Sequence, residues 1–293
     1  MGIDLPDVRI SDGPIHYRAW DGPAETTFVL VHGLGGSHLN WVRVAPGLAG
    51  LGRVLAIDLP GYGTTPLAGR GAGLMDLRKA LDTFVEREAT GEVVLVGNSM
   101  GGVVSVLEAA VAPDRVAGLV LTCSAFPWAP GALPSPLVLG AFAATDVPGL
   151  GDALVTARLR GLSPEQIVRL GLRLTTTDPG GIPGDVVRLH EDMVRAQRDL
   201  PDLPAAFVAS ARSLLRLGRR PDVARGAMDA VRCPVLVLHG RRDRFVPARY
   251  AEAALAAHPT WRGRFFPDLG HVPQLEAPGR WLTEVADWFS LNF

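Results

Sequence analysis

The ten residues VVLVGNSMGG, numbered 93–102, decide the fold predicted for this chain. The apolar run VVLV that opens the stretch is typical of a strand buried on both faces of a sheet. Ser99 follows in the pattern G-x-S-x-G, and helical spacing begins directly after it. A strand that turns sharply into a helix needs small neighbours, and Gly97, Gly101 and Gly102 supply them. The stretch therefore predicts a strand, a tight turn at Ser99 and a helix.

On both sides of this stretch, short apolar runs alternate with helical patterns. Such alternation, with strands that are apolar on both faces, predicts an α/β fold with a doubly wound, mostly parallel sheet. Residues 8–20 instead alternate polar and apolar side chains, which indicates an antiparallel edge. The other apolar runs lie at 28–31, 54–57, 116–122, 234–238 and 264–266, and the helical patterns lie at 41–51, 74–88, 249–257 and 280–289.

The character of the chain changes between residues 125 and 228. Strand-like runs disappear there, and prolines separate short helical patterns at 164–174, 183–200 and 204–217. Proline near the start of a helix is tolerated because the N–H that it lacks would have no partner there. We expect residues 1–124 and 229–293 to form one α/β core and residues 125–228 to form an inserted helical cap.

Composition narrows the classes of partner. The formal net charge is -1 and charged residues make up 20% of the chain, with no block of like charge, so nothing favours nucleic-acid binding. No apolar stretch approaches the roughly 18 to 20 residues that cross a bilayer, and the N-terminus lacks a signal peptide pattern. Cys123 and Cys233 could form one disulfide, but isolated apolar-flanked cysteines are more often buried thiols. We expect a cytoplasmic protein without stable membrane insertion.

A serine at such a turn suggests nucleophilic chemistry, which requires a neighbouring base. His271 lies in DLGHVP (268–273), directly after the last apolar run, and in a parallel sheet that loop lies at the carboxyl end of the strands, beside Ser99. His32 ends a strand and is better explained as a residue that holds a loop. Structural or surface roles are expected for the histidines at 16, 190, 239 and 258, and His38 is left without a predicted role.

The base in turn needs an acid that fixes its tautomer. Asp243, in GRRDRFVP (240–247), follows the penultimate core strand and gives the chain order Ser, Asp, His. Asp268 and Glu276 are alternatives, but they are too close in sequence to approach the far side of the His271 ring. Asp58 is better explained as part of a turn that shapes the rim of a pocket.

An oxyanion that forms beside Ser99 needs two N–H donors. One is expected from Met100, at the positive end of the helix that follows Ser99. The other is expected from Leu34, in the glycine-rich loop HGLGGS (32–37) after the first parallel strand. That loop could instead hold a phosphate, but it lacks the G-K-[ST] ending and the spaced glycines of nucleotide sites.

Together these residues resemble the α/β-hydrolase superfamily, in the branch of small bacterial serine esterases with a helical cap. The resemblance implies acyl transfer to water by Ser99, Asp243 and His271, without a metal or an organic cofactor. A serine at position 99 argues against the haloalkane dehalogenase and epoxide hydrolase branches, which have aspartate there. The motifs that carry the resemblance are HGLGG (32–36), DLPGYG (58–63), GNSMGG (97–102), GRRD (240–243) and GH (270–271).

In this family the cap closes over the pocket and sets the choice of substrate. Phe126, Trp128, Leu137 and Phe142 would supply an apolar wall, although such side chains can equally form the core of the cap. Because the segment has no obvious cationic cluster, we expect a hydrophobic carboxylic ester and water as the reactants. The sequence leaves the oligomeric state open.

Two other functions remain open at this stage. A carbon–carbon bond hydrolase or a perhydrolase-like relative would use the same three residues. A protein of another class, which senses a small molecule in the pocket without catalysis, would need none of them, and the complete set argues against it.

Overall fold

The computed structural model describes residues 5–11, 13–126, 134–198 and 200–293. Eight strands in these residues form one sheet, in the order β1-β2-β4-β3-β5-β6-β7-β8. The strands are β1 (Arg9–Ser11), β2 (Ile15–Trp20), β3 (Thr26–Val31), β4 (Arg53–Ile57), β5 (Glu92–Asn98), β6 (Val116–Thr122), β7 (Val235–Gly240) and β8 (Arg262–Phe266). The pairs from β4 to β8 are parallel, whereas β2 pairs antiparallel with both β1 and β4.

This sheet confirms the predicted doubly wound fold and its antiparallel edge. Alternate side chains of β3 enter two different apolar clusters, Val29 and Val31 on one face and Phe28 and Leu30 on the other. All four are fully buried. Helices therefore cover both faces of the sheet, as continuous apolar strands require.

The described residues also form helices, which lie between the strands and after the last of them. None of these helices is long and apolar enough to span a bilayer. They are α1 (Ala45–Leu48), α2 (Leu74–Glu88), α3 (Met100–Val111), α4 (Pro136–Asp146), α5 (Leu150–Gly161), α6 (Pro164–Thr175), α7 (Gly184–Gln197), α8 (Leu203–Gly218), α9 (Pro221–Asp229), α10 (Ala248–Ala257), α11 (Pro273–Glu276) and α12 (Pro278–Asn292), with 3-10 turns at His38–Trp41 and Pro179–Gly181.

The helix expected at residues 41–51 is much shorter than predicted. The structure has a 3-10 turn at His38–Trp41 and then the four residues of α1. Gly47 lies inside α1, and Gly50 and Gly52 follow it. Glycine loses more backbone freedom than other residues in a helix, which disfavours a longer helix here.

In the described part of the chain between β6 and β7 there are six helices, α4 to α9. Helices α6, α7 and α8 match the predicted patterns, whereas α4, α5 and α9 were not predicted from the spacing of apolar residues. The sequence of α4, PLVLGAFAATD, is apolar almost throughout, so it has no polar face to reveal a helical period. Leu203 and Ala206 of α8 belong to the same apolar cluster as one face of the sheet.

Both cysteines are free thiols. Cys123 is fully buried directly after β6, and Cys233 is partly exposed just before β7. Burial raises the pKa of Cys233 to about 11. The structure therefore has buried or half-buried thiols in place of the one disulfide that the sequence allowed.

Candidate active site

Ser99 lies at the junction of β5 and α3, where the chain reverses sharply. Its backbone has φ +55° and ψ −116°, which an L-residue adopts only under strain. Two hydrogen bonds hold this conformation: the Ser99 N–H donates to the Thr122 carbonyl (3.0 Å), and the Ala125 N–H donates to the Ser99 carbonyl (3.2 Å). Strain of this kind is concentrated at functional sites because the surrounding structure must enforce it.

The glycines around Ser99 allow backbones to pass at very short range. A Cβ on Gly97 would lie 2.5 Å from the Gly101 carbonyl oxygen. A Cβ on Gly101 would lie 2.1 Å from the carbonyl oxygen of Val31, at the end of the neighbouring strand. The predicted need for small residues at this turn therefore has a direct steric cause.

His271 and Asp243 form a hydrogen-bonded pair at the carboxyl end of the sheet. The His271 Nδ1 lies 2.7 Å from the Asp243 Oδ2. The other carboxylate oxygen, Oδ1, accepts the N–H groups of Phe245 (2.8 Å) and Val246 (3.0 Å). Burial alone would raise the pKa of Asp243, but the charge and hydrogen bond of His271 outweigh it and hold that pKa below its usual value. Asp243 is therefore an ionised acceptor, and His271 donates through Nδ1.

Asn98 ties the loop of His271 to the turn of Ser99. Its side-chain amide donates to the backbone carbonyls of Thr122 (3.0 Å) and His271 (3.2 Å). Because Asn98 immediately precedes Ser99, this bond holds the backbone of His271 next to the nucleophile. The structure thus pairs His271 with Asp243 and ties the His271 backbone to the residue that precedes Ser99.

The two alternative acids have other partners. The Asp268 carboxylate pairs with the guanidinium of Arg280 at 2.7 and 2.9 Å. Glu276 accepts the backbone N–H of Gly270 at 2.7 Å. The carboxylate on the His271 ring is that of Asp243.

The glycine-rich loop 32–37 packs directly on the nucleophile. A Cβ on Gly33 would lie 3.1 Å from the Cβ of Ser99, so the missing side chain lets the loop pack tightly there. Leu34 lies next in this loop, and Met100 is the first residue of α3. Within the described ranges, neither the Leu34 N–H nor the Met100 N–H donates to a protein acceptor. Both amides are therefore free to bind a charged oxygen.

His32 acts as the sequence suggested, by holding two loops together. Its Nε2 accepts the N–H of Leu59 (3.0 Å), so Nδ1 carries the proton and donates to the Gly33 carbonyl (2.8 Å). Burial lowers the pKa of this fully buried side chain, which keeps it neutral.

His38 and Asp58 form a buried pair that was not predicted from the sequence. The Asp58 carboxylate accepts the Nδ1 of His38 (3.0 Å), its backbone N–H (2.6 Å) and the N–H of Thr64 (2.9 Å). Burial would raise the pKa of Asp58, but these contacts lower it below the usual value. Asp58 therefore fixes both the turn that was predicted for it and the end of the loop that carries Leu34.

The predicted apolar wall is only partly within the described structure. Trp128 lies outside the described residues, and so does the side chain of Leu137. Phe126 is buried beside α3, α8 and α9, where it lines a small cavity of about 20 Å³. That space holds about one water molecule and no acyl chain. Phe142 is half-buried on α4.

Two phenylalanines that the sequence did not single out lie at the site. The ring of Phe245 is 5.1 Å from that of His271, centroid to centroid. Phe207 of α8 lies over the glycine-rich loop, since a Cβ on Gly35 would be 3.2 Å from its ring. The amphipathic pattern at 204–217 was the available signal for Phe207, but periodicity alone does not say which surface a helix covers.

One group of described residues has metal-ligating atoms close together. These are Cys123, His239 and Asp243, with ligand atoms within 4.8 Å of one another. Each already has a protein partner: the Cys123 Sγ donates to the Gly270 carbonyl (3.5 Å), the His239 Nε2 lies 3.0 Å from the Val246 carbonyl, and Asp243 binds His271. The Nδ1 of His239 has no hydrogen-bond partner among the described residues.

Comparison with known proteins identifies the family of the chain. The model of the "Alpha/beta hydrolase family" matches residues 28–285, which is most of the chain. The chain belongs to the alpha/beta hydrolase family. Its members that resemble this chain include proteins with several different reactions.

Three curated alpha/beta hydrolase relatives illustrate this range. A dihydrolipoyllysine-residue acetyltransferase component of the acetoin cleaving system of Pseudomonas putida is 30% identical over 87% of this chain, but the match spans only 61% of that relative's length. A 2-hydroxy-6-oxononadienedioate/2-hydroxy-6-oxononatrienedioate hydrolase of Cupriavidus pinatubonensis is 27% identical over 96% of this chain and 93% of its own. A pimeloyl-[acyl-carrier protein] methyl ester esterase of Nitrosomonas europaea is 28% identical over 87% and 92%.

Solved alpha/beta hydrolase structures share the whole fold. A thermophilic esterase from Thermogutta terrifontis superposes with a TM-score of 0.66 and 25% identity, over 98% of each chain. The fold is therefore shared over nearly the whole length of both chains.

Proposed function

We propose that this chain is a serine hydrolase that cleaves a hydrophobic carboxylic ester through an acyl-enzyme intermediate. The observation that carries the proposal is the His271–Asp243 hydrogen bond of 2.7 Å, in a loop that Asn98 ties to the turn of Ser99. A strained serine beside a histidine that an ionised carboxylate orients is the arrangement that acyl transfer needs.

In the proposed reaction, the Ser99 Oγ attacks the carbonyl carbon of the ester while its proton passes to the Nε2 of His271. The C–O bond to the alcohol then breaks, and His271 returns the proton to the leaving alcohol. Water attacks the acyl-enzyme with His271 again as base, which releases the acid and restores Ser99. The amides of Leu34 and Met100 would hold the negative oxygen of each tetrahedral intermediate.

The preference for a hydrophobic ester rests on the side chains around the site. Phe207 and Phe245 are apolar neighbours of the glycine-rich loop and of His271. The name of one relative, a methyl ester esterase, supports the same reaction class. We propose that residues 125–228 act as a cap over this site, because α8, which carries Phe207, comes from that segment.

The test is hydrolysis of p-nitrophenyl esters from acetyl to palmitoyl, with lactones added, by the wild-type chain and by Ser99→Ala. We expect Ser99→Ala to lower kcat by on the order of 10⁴- to 10⁶-fold while the melting temperature is kept. Ser105→Ala is the matched control, because the Ser105 hydroxyl only donates to a carbonyl within α3 (2.8 Å). Equal activity of Ser99→Ala and Ser105→Ala would contradict the proposal.

Carbon–carbon bond hydrolysis is the second candidate. It is favoured by the Cupriavidus pinatubonensis relative, which matches nearly the full length of both chains. A ring-fission diketone included in the substrate panel separates the two reactions, since its turnover above that of every ester would replace the first proposal. Peroxide-dependent halogenation tests the perhydrolase-like alternative in the same way. A single stoichiometric release of p-nitrophenol, without turnover, would indicate a small-molecule sensor.

A further inference from the structure

One carboxylate joins the loop of His271 to a helix of the insertion. Glu276, the last residue of α11, accepts the N–H of Gly270 through Oε1 at 2.7 Å. Its other oxygen, Oε2, accepts the N–H of Thr177 at 2.7 Å and lies 2.8 Å from the Thr177 hydroxyl. Thr177 lies two residues beyond the end of α6. The contact therefore spans 99 residues of sequence and links the two parts of the chain.

A second bond runs directly from His271 to the same helix. The backbone N–H of His271 donates to the carbonyl of Thr175, the last residue of α6, at 2.7 Å. The last carbonyls of a helix have no partner within it, so they need donors from elsewhere. Arg244, next to Asp243, supplies another by donating from its guanidinium to the Arg173 carbonyl at 2.7 Å. The loops of His271 and Asp243 thus cap the C-terminal end of α6.

The dipeptide of Gly270 and His271 is held from two opposite sides. The Gly270 N–H donates to the Glu276 carboxylate, and the His271 N–H donates to the Thr175 carbonyl. Its two carbonyls accept from the core: that of Gly270 from the Cys123 thiol at 3.5 Å, and that of His271 from the Asn98 amide. Every backbone polar group of the dipeptide that carries the base therefore has a partner.

The absence of a side chain at Gly270 is what makes this approach possible. A Cβ there would lie 2.6 Å from the Thr175 carbonyl oxygen and 3.0 Å from the Glu276 Oε1. The first distance is far below any real Cβ contact, and the atom that it meets is backbone. Glycine at position 270 is therefore required for the close contact with the end of α6.

From this geometry we propose that Glu276 is a positioning residue for His271. Its hydrogen bonds to Gly270 and Thr177 hold the His271 loop against the end of α6. The inference rests on the proposed function, because it gives His271 the role of base. Glu276 touches neither substrate nor imidazole; it acts through the Gly270 amide. Correct placement of the base then depends on α6 being docked.

Glu276→Gln tests this with little change of shape. The amide oxygen can still accept the Gly270 N–H, but the NH₂ group then faces the Thr177 N–H, donor against donor. We expect kcat for the best ester to fall roughly 10- to 100-fold with KM changed less than about threefold, because the base is misplaced but the pocket is kept. Glu165→Gln, an exposed position in the first turn of α6, is the matched control and should behave as wild type.

Thr177 gives a second pair of variants, in case Glu276→Gln folds poorly. Thr177→Val removes the hydroxyl and should lower kcat in the same direction but less, since the backbone N–H still reaches Glu276. Thr177→Ser keeps the hydroxyl and should restore wild-type kcat. Rates are divided by the fraction of chains that a serine-reactive phosphonate labels, so that misfolded protein does not count as slow enzyme.

Hydrogen exchange of the peptide 268–276 gives a readout that needs no activity. At unchanged melting temperature, Glu276→Gln should speed exchange in that peptide, whereas Glu165→Gln should not. Unchanged kcat in Glu276→Gln, or unchanged exchange, would overturn the inference while leaving the proposed function intact. If the wild-type chain turns over no ester, the proposed function fails. Unchanged hydrogen exchange of the peptide 268–276 in Glu276→Gln would then separately reject the role of Glu276 in holding the loop.

Discussion

At the scale of single residues, hydrogen bonds decide which nitrogen of His271 can act. Asp243 presents one oxygen to the Nδ1 of His271 and commits the other to the N–H groups of Phe245 and Val246. The ring must therefore keep its proton on Nδ1, which leaves Nε2 as the free base. The ionised Asp243 carboxylate thus sets the tautomer, and the two backbone amides fix its orientation.

Asp243→Asn should reverse this tautomer. The two backbone N–H groups would retain the amide oxygen, so the NH₂ group would face the Nδ1 of His271 and force the proton onto Nε2. We expect kcat for ester hydrolysis to fall on the order of 10³- to 10⁴-fold, as measured with the ester panel at constant pH.

Asp268→Asn is the control for that change. It makes the same substitution three residues from His271, at a carboxylate that pairs with Arg280 on the surface. Its kcat should stay within about twofold of wild type. A loss in Asp268→Asn as large as in Asp243→Asn would show that the charge near the loop, rather than the tautomer, matters.

At the scale of elements, the passage from β5 into α3 is a steric fit between backbones. The helix begins so close to the neighbouring strand β3 that position 101 has no room for a methyl group. The strained backbone of Ser99 and the glycines around it have the same cause, because the helix begins close to the strands and leaves no room for side chains there.

Gly101→Ala should therefore destabilise the fold by more than about 2 kcal/mol, because its Cβ would lie 2.1 Å from the Val31 carbonyl and the strand would have to move. Urea denaturation followed by tryptophan fluorescence measures the change. Gly171→Ala, within α6, is the contrasting variant, since nothing lies within 4 Å of its Cβ. It should stabilise the chain by about 0.5–1 kcal/mol. Equal effects would refute the steric argument.

At the scale of the whole molecule, one buried charge cluster lies away from the candidate site. Glu108 of α3 is fully buried and accepts from the guanidinium of Arg78 on α2 at 2.9 Å. Burial, and then the charge of Asp82, raise the pKa of Glu108 to about 7, against the opposing effect of Arg78. In the described structure, one carboxylate oxygen of Glu108 has no hydrogen-bond partner.

This cluster predicts a pH dependence of stability. Between pH 4.5 and about 7 the unfolded chain releases the Glu108 proton while the folded chain retains it, so this group destabilises the fold as pH rises. The free energy of unfolding of wild type minus that of Glu108→Gln should fall over this range, by at most about 1.4 kcal/mol per pH unit. Comparison with Glu108→Gln is needed because His32 and His239 also affect the pH dependence. Burial lowers the pKa of both histidines, which makes the free energy of unfolding rise with pH and so opposes the effect of Glu108.

Urea denaturation across this pH range gives the measurement, with Glu86→Gln as control. Glu86 is an exposed carboxylate of α2 that faces Arg115 at 3.8 Å. Its replacement should leave the pH slope of wild type unchanged. A constant difference between wild type and Glu108→Gln from pH 4.5 to 7 would show that Glu108 is ionised in the folded chain.

The insertion shows where sequence patterns lose their information. Helices α6, α7 and α8 were predicted because each has one polar and one apolar face. Helix α4 has no such contrast, and periodicity did not reveal it. Periodicity also does not say which surface a helix covers, so Phe207, which lies over the glycine-rich loop, was not predicted beside Phe126, Trp128, Leu137 and Phe142.

The sequence by itself determined the strand–turn–helix at Ser99, the parallel sheet around it, and the choice of Asp243 and His271 as partners. Each of these depends on local spacing, or on the rule that loops after parallel strands meet at one edge. Only the tertiary structure decided that His38 pairs with Asp58, and that Glu276 joins Gly270 to Thr177. Such contacts depend on how helices pack across distances of tens of residues, and no local preference of the chain encodes which carboxylate will meet which amide.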